Sequence, residues 1–165
     1  MRKPELEQLF AYTDYVWNEF RRVLPDSKLL IIAQHSGWPT VRSCLVHMVM
    51  AYERWLPAIV ELQSRPLPAV GPDDLVTWEQ IDAARSRVRA TLGDALRGWG
   101  DEELALLHDM QIDGEVLRYS RGELIAHLLL HERGHHGDIT TLMWQLGIEE
   151  ELPIEYRFFL GRHKT

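Results

Sequence analysis

The sequence predicts an all-α fold: a four-helix bundle with a small β-hairpin before the fourth helix. Two observations favour it. Apolar residues recur along most of the chain at the three- and four-residue spacing of amphipathic helices. Asp113-Gly114 separates two short stretches rich in branched residues, a pattern typical of a tight hairpin turn. The 165 residues are enough to bury a sizeable core, so a single domain over 1–165 is expected.

The first half of the chain predicts two long helices. Residues 3–24 carry a broad apolar face that stops at a Pro-Asp pair. The second helix begins at Thr40, a suitable N-cap, and continues to about residue 63. Pro57 lies inside its apolar pattern and predicts a kink or a break near Leu56.

The second half predicts two further helices, each opened by a capping box. Residues 65–74, which contain three prolines and a glycine, are a predicted loop. A capping box at Thr77 opens a helix over about 77–98. Another at Ser120 opens the fourth helix, which ends at Gly147 in the position of a left-handed glycine. A last short apolar segment within residues 150–160 is expected to close one end of the core.

Three histidines recur at four-residue intervals in the fourth helix: His127, His131 and His135. Positions i and i+4 lie about 40° apart around an α-helix, so the three side chains share one stripe. Leu124 and Leu128 fall on the same stripe, which we therefore expect to face the core. Imidazoles in a core are costly unless they are satisfied, and a divalent metal ion would satisfy them.

Spacing alone leaves two ligand pairs open, because His127 with His131 and His131 with His135 both meet the i, i+4 requirement. Three histidines in one line are too spread to share one ion well. The remaining ligand must then come from another helix, and His47, flanked by apolar residues in the second helix, is the candidate. Three neutral imidazoles leave coordination positions open, as in catalytic sites. The alternative is that each histidine is satisfied individually in the core or at the surface.

Two segments, HMVMAYERWL (47–56) and HLLLHERGHHGDITTLMWQLG (127–147), resemble the DinB-like metal-binding superfamily. These are damage-inducible four-helix proteins related to thiol-dependent transferases and isomerases. In that family the second helix carries one histidine followed by a charged-aromatic turn. The fourth carries the pattern H-x-x-x-H-x-x-x-H-R-G-Q or D. The helix order also agrees over most of the chain.

Carried over to this chain, the resemblance implies a definite ligand set. His47, His131 and His135 would hold a divalent ion, which could be zinc, nickel or iron, and His127 would lie one turn outside the ligand set. The family's usual arginine after the last ligand is His136 here, which leaves the role of this position open.

Asp138 and Arg54 are the candidates for a catalytic role. Asp138 follows His135 by three residues and could orient an imidazole, bind the ion, act as a base or simply be solvated. Arg54 lies seven residues after His47 and could hold an anionic substrate, or be an exposed or ion-paired residue. Cys44 could be a thiolate ligand, but a buried structural cysteine is favoured. The glutamate Glu132 points away from the stripe and is not expected to act as a base.

Composition excludes several other functions. A net charge of −7 argues against nucleic-acid binding, and the one candidate basic patch, Arg85, Arg87 and Arg89, is scattered around a helix by its two-residue spacing. No apolar run approaches the length of a membrane span. A single cysteine and an N-terminus unlike a signal peptide predict a cytoplasmic protein. His35, His108 and His163 are expected at the surface.

These observations predict a metal-dependent enzyme acting on a small molecule. The ion could support hydrolysis, or it could bind a low-molecular-weight thiol as a thiolate and deliver it to an electrophile. The resemblance implies that thiol transfer occurs within the superfamily, and also a cytoplasmic homodimer. The alternative is a non-catalytic metal-binding stress-response protein, in which a fourth ligand such as Asp138 or Cys44 would close the shell.

Overall fold

The computed structural model describes residues 1–33, 37–64 and 75–162, and it is all-α with one small hairpin, as predicted. Its elements are α1 (Lys3–Val23), α2 (Asp26–Leu29), α3 (Val41–Val60), α4 (Trp78–Gly98), α5 (Asp101–Leu104), β1 (Leu107–Ile112), β2 (Glu115–Ser120), α6 (Arg121–Gln145) and α7 (Tyr156–Arg162). The predicted loop at 65–74 and the histidines His35 and His163 lie outside the described residues, and His108 is half-buried.

The four long helices α1, α3, α4 and α6 form the bundle. Helix α3 packs against α4 and α6, and α1 packs against the same two helices. Their buried side chains form two core clusters, one containing Phe20 and Leu45 and the other Leu92 and Leu129. Helix α7 adds Phe159 to the first cluster, which bears out the prediction that the C-terminal apolar segment closes one end of the core. None of the helices in the described ranges is long and apolar enough to cross a membrane.

Capping contacts confirm the predicted helix starts. Thr40, Thr77 and Ser120 each accept a hydrogen bond from the backbone N–H three residues on, at 3.0, 3.3 and 3.2 Å. At the other end of α6, Gly147 has a φ of 69°, the left-handed conformation that its position predicted.

Helix α3 is continuous across Pro57, so the break considered near Leu56 does not occur. Pro57 lies in the last turn of the helix, and Val60 is the final residue. A proline has no N–H to donate to the carbonyl four residues before it, so the helix lacks one hydrogen bond in its last turn. The Pro57 carbonyl still accepts a hydrogen bond from the Glu61 N–H at 2.9 Å, which closes the helix.

The hairpin formed by β1 and β2 turns at the predicted residues. Asp113 and Gly114 have φ values of 51° and 88°, the two positive angles that a two-residue type I′ turn requires. Met110 of β1 is fully buried in the second core cluster, and the Gln111 N–H donates to the Ser64 carbonyl at 2.7 Å. The hairpin is thus anchored on the bundle near the end of α3.

A network of buried charges joins the four long helices. Arg85 of α4 lies between two carboxylates, with Nη2 2.8 Å from Glu132 Oε1 and Nη1 2.8 Å from Asp14 Oδ1. The Tyr52 hydroxyl of α3 donates to Glu132 Oε2 and accepts from Arg89 Nη1 at 3.1 Å. Because Glu132 is 1% exposed, these partners supply the contacts that water cannot.

Ion pairing keeps Glu132 charged despite its burial. Burial alone would raise the pKa of Glu132, but Arg85, His136 and Arg89 hold it well below its usual range. The charged Glu132 side chain therefore fixes the rotation of α6 relative to α4, because turning α6 about its axis would separate Glu132 from Arg85 and Arg89.

The rotation of α6 differs from the one expected from the sequence. Glu132 and Ile139 lie on its buried face, whereas His127 is exposed and His131 and His135 are half-buried. Successive residues are about 100° apart around a helix, so burial of Glu132 turns the preceding His131 to the edge of the core. The prediction that the histidine stripe faces the core is therefore wrong: the stripe lies at the rim beside α3.

Candidate metal centre

Three histidine rings converge between α3 and α6. The Nε2 atom of His131 lies 3.1 Å from Nε2 of His47 and 3.1 Å from Nε2 of His135. Two nitrogens bound tetrahedrally to one zinc ion at about 2.05 Å would lie roughly 3.3 Å apart, so this spacing fits a shared ion. Within the described part of the chain, the three residues form a group that could hold a metal ion.

Asp138 fixes the orientation of the His135 ring. Its Oδ2 atom lies 2.8 Å from His135 Nδ1 and also accepts a hydrogen bond from Trp38 Nε1 at 2.9 Å. A carboxylate on Nδ1 selects the tautomer that carries its proton there and leaves Nε2 free to bind an ion. Of the roles considered for Asp138, these contacts fit the orienting one.

Trp38 covers one side of the histidine group, a role that the sequence analysis missed. Its ring centroid lies 4.8 Å from that of His47 and 5.2 Å from that of His135. Trp38 precedes the cap of α3 by two residues, in the segment between α2 and α3. The available signal was an aromatic residue directly before the helix that carries His47.

His131 and His47 are neutral at neutral pH. Burial lowers the pKa of His131, and the adjacent His135 and His47 lower it further, to about 4. Burial, followed by the influence of His135, also lowers the pKa of His47, the most exposed of the three residues. Metal ligation requires the neutral imidazole, so these two residues compete little with protons for an ion.

His127 and Arg54 lie beside the histidine group. The ring centroid of His127 is 6.1 Å from that of His131 and 5.8 Å from that of Trp55, and His127 is not part of the group that could hold an ion. Arg54 lines a cavity of about 130 Å³ together with His47, His127 and His131. The structure thus brings a cationic side chain into the space that opens next to the histidines.

Cys44 lies behind His135 and is buried, as favoured from the sequence. Its Sγ atom is 3.9 Å from the His135 carbonyl oxygen, and burial raises the pKa of the thiol above its usual value. Cys44, His135 and Asp138 form a second group whose donor atoms lie within 4.8 Å of one another, but this group excludes His47 and His131. Within the described ranges, neither Cys44 nor Asp138 completes the three-histidine shell.

His136 lies behind the site rather than in it. It is fully buried, its ring packs at 5.5 Å from that of Phe20, and its Nε2 atom lies 3.8 Å from Glu132 Oε1. Burial lowers the pKa of His136, while Glu132 opposes the shift. Hydrophobic periodicity did not predict this buried cluster; the available signal was Arg85 and Arg89, one turn apart among apolar positions of a helix.

A sequence model of the DinB family matches residues 2–161. The chain belongs to the DinB family. Its long helices α3 and α6, second and fourth in the bundle, carry the three converging histidines, which agrees with the metal-binding character of DinB proteins. No protein of curated function matches this DinB chain in sequence.

Proposed function

We propose that this DinB protein is a metal-dependent enzyme in which His47, His131 and His135 bind a divalent ion. Its reaction is the transfer of a low-molecular-weight thiol to a small electrophile. The observation that carries the proposal is the convergence of three imidazoles beside a cavity, with Nε2 of His131 3.1 Å from Nε2 of His47 and 3.1 Å from Nε2 of His135. Three protein ligands leave a position for a further ligand, and a bound ion would lower the pKa of a thiol or water there.

The two carboxylates nearest in sequence to the ligand histidines are engaged in other contacts, and this supports thiol transfer over hydrolysis. Hydrolysis gains from a general base aimed at the attacking water. Asp138 is held by His135 and Trp38, and Glu132 is buried among arginines. A deprotonated thiol is already the nucleophile and needs no such base. Its sulfur forms a bond to carbon, the leaving group departs with its electron pair, and the thiol proton passes to solvent.

The contacts also support catalysis over a purely structural metal site. A structural site would be closed by a fourth protein ligand. Asp138 lies on the Nδ1 side of the His135 ring, and Cys44 contacts its main-chain carbonyl. Both candidates for a fourth ligand are therefore separate from the atoms that converge, and this supports an open coordination position.

The test is an activity assay on untagged protein loaded with zinc or nickel. Glutathione or cysteine is mixed with chlorodinitrobenzene, and thioether formation is followed by absorbance. The wild-type protein should accelerate the reaction, His131→Gln should not, and Asp94→Asn, at an exposed residue paired with Arg97, should retain the rate. Cleavage of nitrophenyl acetate without thioether formation would assign hydrolysis instead, and inactivity of the metal-loaded protein on both would favour the non-catalytic stress-response role.

The family resemblance extends the proposal to the assembly and its location. We infer a homodimer that acts on a small-molecule substrate in the cytoplasm. Sedimentation velocity at micromolar concentration should give the mass of two chains of 19.2 kDa, and a single 19.2 kDa species would contradict the dimer.

A further inference from the structure

Two cavities meet beside the three histidines. The smaller, of about 130 Å³, is lined in part by His47, Arg54 and His131. The larger, of about 300 Å³, lies between α3, α6 and the hairpin, and its lining is Trp55, Ile112, Tyr119, Glu123, Leu124 and His127. Trp55 and His127 line both cavities, so the two spaces adjoin, and together we call them the cleft.

Arg54 brings into this cleft a charge that the described residues do not neutralise. Its Nε atom is buried and has no hydrogen-bond partner among them, and the guanidinium lies 5.9 Å from the centroid of the Trp55 ring. Arg85 and Arg89, by contrast, both pair with the buried carboxylate of Glu132. A buried N–H without a partner is costly, and the planar guanidinium fork matches a carboxylate. An anionic group on a ligand would supply the missing contact.

The end of the cleft next to the hairpin is mainly apolar and carries no lysine or arginine among its described lining residues. Leu124 is buried there and the side chains of Ile112 and Tyr119 are half-buried, which gives an apolar wall. Glu123 is already satisfied, because its carboxylate accepts hydrogen bonds from the Ser120 N–H at 2.7 Å and hydroxyl at 2.9 Å. Its negative charge disfavours an anion at this end, while an apolar cavity of this size suits a small hydrocarbon group.

We propose that the cleft binds a small amphipathic acid. Its carboxylate contacts Arg54 next to the metal-binding histidines, and its aliphatic or aromatic body packs against Trp55, Ile112 and Tyr119. The inference rests on the proposed function, because the bound acid is the electrophile of the proposed thiol transfer. Its carboxylate would lie close to the carbon that the thiol attacks. The binding step itself makes and breaks no covalent bond.

The first test compares three probes by calorimetry with zinc-loaded and metal-free protein. Phenylbutyrate has both features, butyrate lacks the aromatic body, and phenylbutanol lacks the charge. Phenylbutyrate should bind at least about tenfold more tightly than either, since a charge-assisted contact and apolar burial each contribute about that factor. Equal affinity for the three probes, or no binding of phenylbutyrate, overturns the inference.

Variants of Arg54 test the position of the phenylbutyrate carboxylate. Arg54→Gln should weaken phenylbutyrate binding about tenfold, and Arg54→Lys should restore part of the loss. Arg87→Gln, at an exposed arginine of α4, is the matched control and should leave binding unchanged. Binding that requires zinc and is insensitive to Arg54→Gln would place the carboxylate on the metal and overturn the inference.

Two substitutions on the hairpin, one inside the cavity and one outside it, test the position of the aromatic body of phenylbutyrate. Ile112→Glu should weaken phenylbutyrate binding about tenfold by placing a second negative charge in the cavity. Val116→Glu changes a residue that is 63% exposed on β2 and absent from the cavity lining, so binding should not change. Equal effects of the two substitutions would contradict the proposed position of the body.

Zinc titrations of the same variants separate this inference from the proposed function. Arg54→Gln and Ile112→Glu should bind zinc as the wild-type protein does. Zinc binding without Arg54-dependent binding of phenylbutyrate overturns the cleft assignment and leaves the metal site standing. If phenylbutyrate binds in an Arg54-dependent manner to a protein that fails to bind zinc, the metal site is overturned and the cleft assignment stands.

Discussion

The Nδ1 atom of His135 lies 2.8 Å from Oδ2 of Asp138, three residues further along the same helix. This contact turns Nε2 of His135 towards His131, whose own Nε2 is 3.1 Å away. The same Asp138 oxygen receives the Trp38 indole N–H, so the ring that covers the site is held by the residue that orients a ligand. One carboxylate thus connects α6 with the segment before α3 and positions part of the histidine group.

Replacing Asp138 with asparagine should weaken metal binding. An amide accepts a weaker hydrogen bond from His135 Nδ1 and no longer increases the basicity of the imidazole, so zinc affinity should fall about 10- to 100-fold. Competition against a chromophoric chelator measures the Kd. Asp94→Asn removes one exposed carboxylate elsewhere and should not change the affinity; a Kd for Asp138→Asn equal to that of the control would rule out an orienting role.

Replacing Glu132 with glutamine should destabilise the fold. The change leaves Arg85 and Arg89 buried without a negative partner on α6, and loss of one partner of a buried pair typically costs about 3–5 kcal/mol. The free energy of unfolding in urea, measured on metal-free protein, gives the value.

The control for this prediction is an exposed pair. Asp109 on β1 pairs with Arg118 in solvent, so Asp109→Asn should lower the free energy of unfolding far less than Glu132→Gln does. If Glu132→Gln proves as mild as Asp109→Asn, the network contributes little to the stability of the bundle, and the argument that it sets the rotation of α6 fails.

The metal-free protein should lose stability as the pH falls below neutral. The pKa of His131 is about 4 in the fold but about 6.5 in an unfolded chain, so the unfolded state binds more protons between these values. The free energy of unfolding should therefore be greatest above about pH 6.5 and should decrease towards pH 4.

The contribution of His131 is isolated by His131→Gln. This variant cannot take up the proton in its unfolded state, so its stability should change less between pH 7 and pH 5 than that of the wild-type protein. Urea unfolding at a series of pH values measures both slopes. Identical slopes would show that His131 is not shielded from protonation in the folded state.

Much of the fold follows from local chemistry that the sequence displays. The caps at Thr40, Thr77 and Ser120 and the turn at Asp113-Gly114 depend on a few adjacent residues, and the structure contains all four. Helical spacing left two ligand pairs open, and the family resemblance selected His131 with His135. The position of His47 among apolar residues of another helix made it the candidate for the third ligand. These features are specified within one or two turns of the chain or by a motif.

The orientation of α6 was not predictable in the same way. Its buried face includes Glu132 and His136, two polar residues that an apolar pattern assigns to the surface. They are buried because Arg85 and Arg89 of another helix supply partners, a long-range pairing that no periodicity reveals. The same limitation hid Trp38, whose role depends on where its loop crosses the histidines.

The metal content of the protein, purified without a histidine tag and analysed by elemental analysis, tests the proposed site most directly. The wild-type protein should carry close to one equivalent of a divalent metal, and so should His127→Gln. The single variants His47→Gln, His131→Gln and His135→Gln should each lose it. A wild-type protein that is metal-free and also fails to bind added zinc or nickel would contradict the ligand assignment, as would loss of the metal from His127→Gln to the same extent.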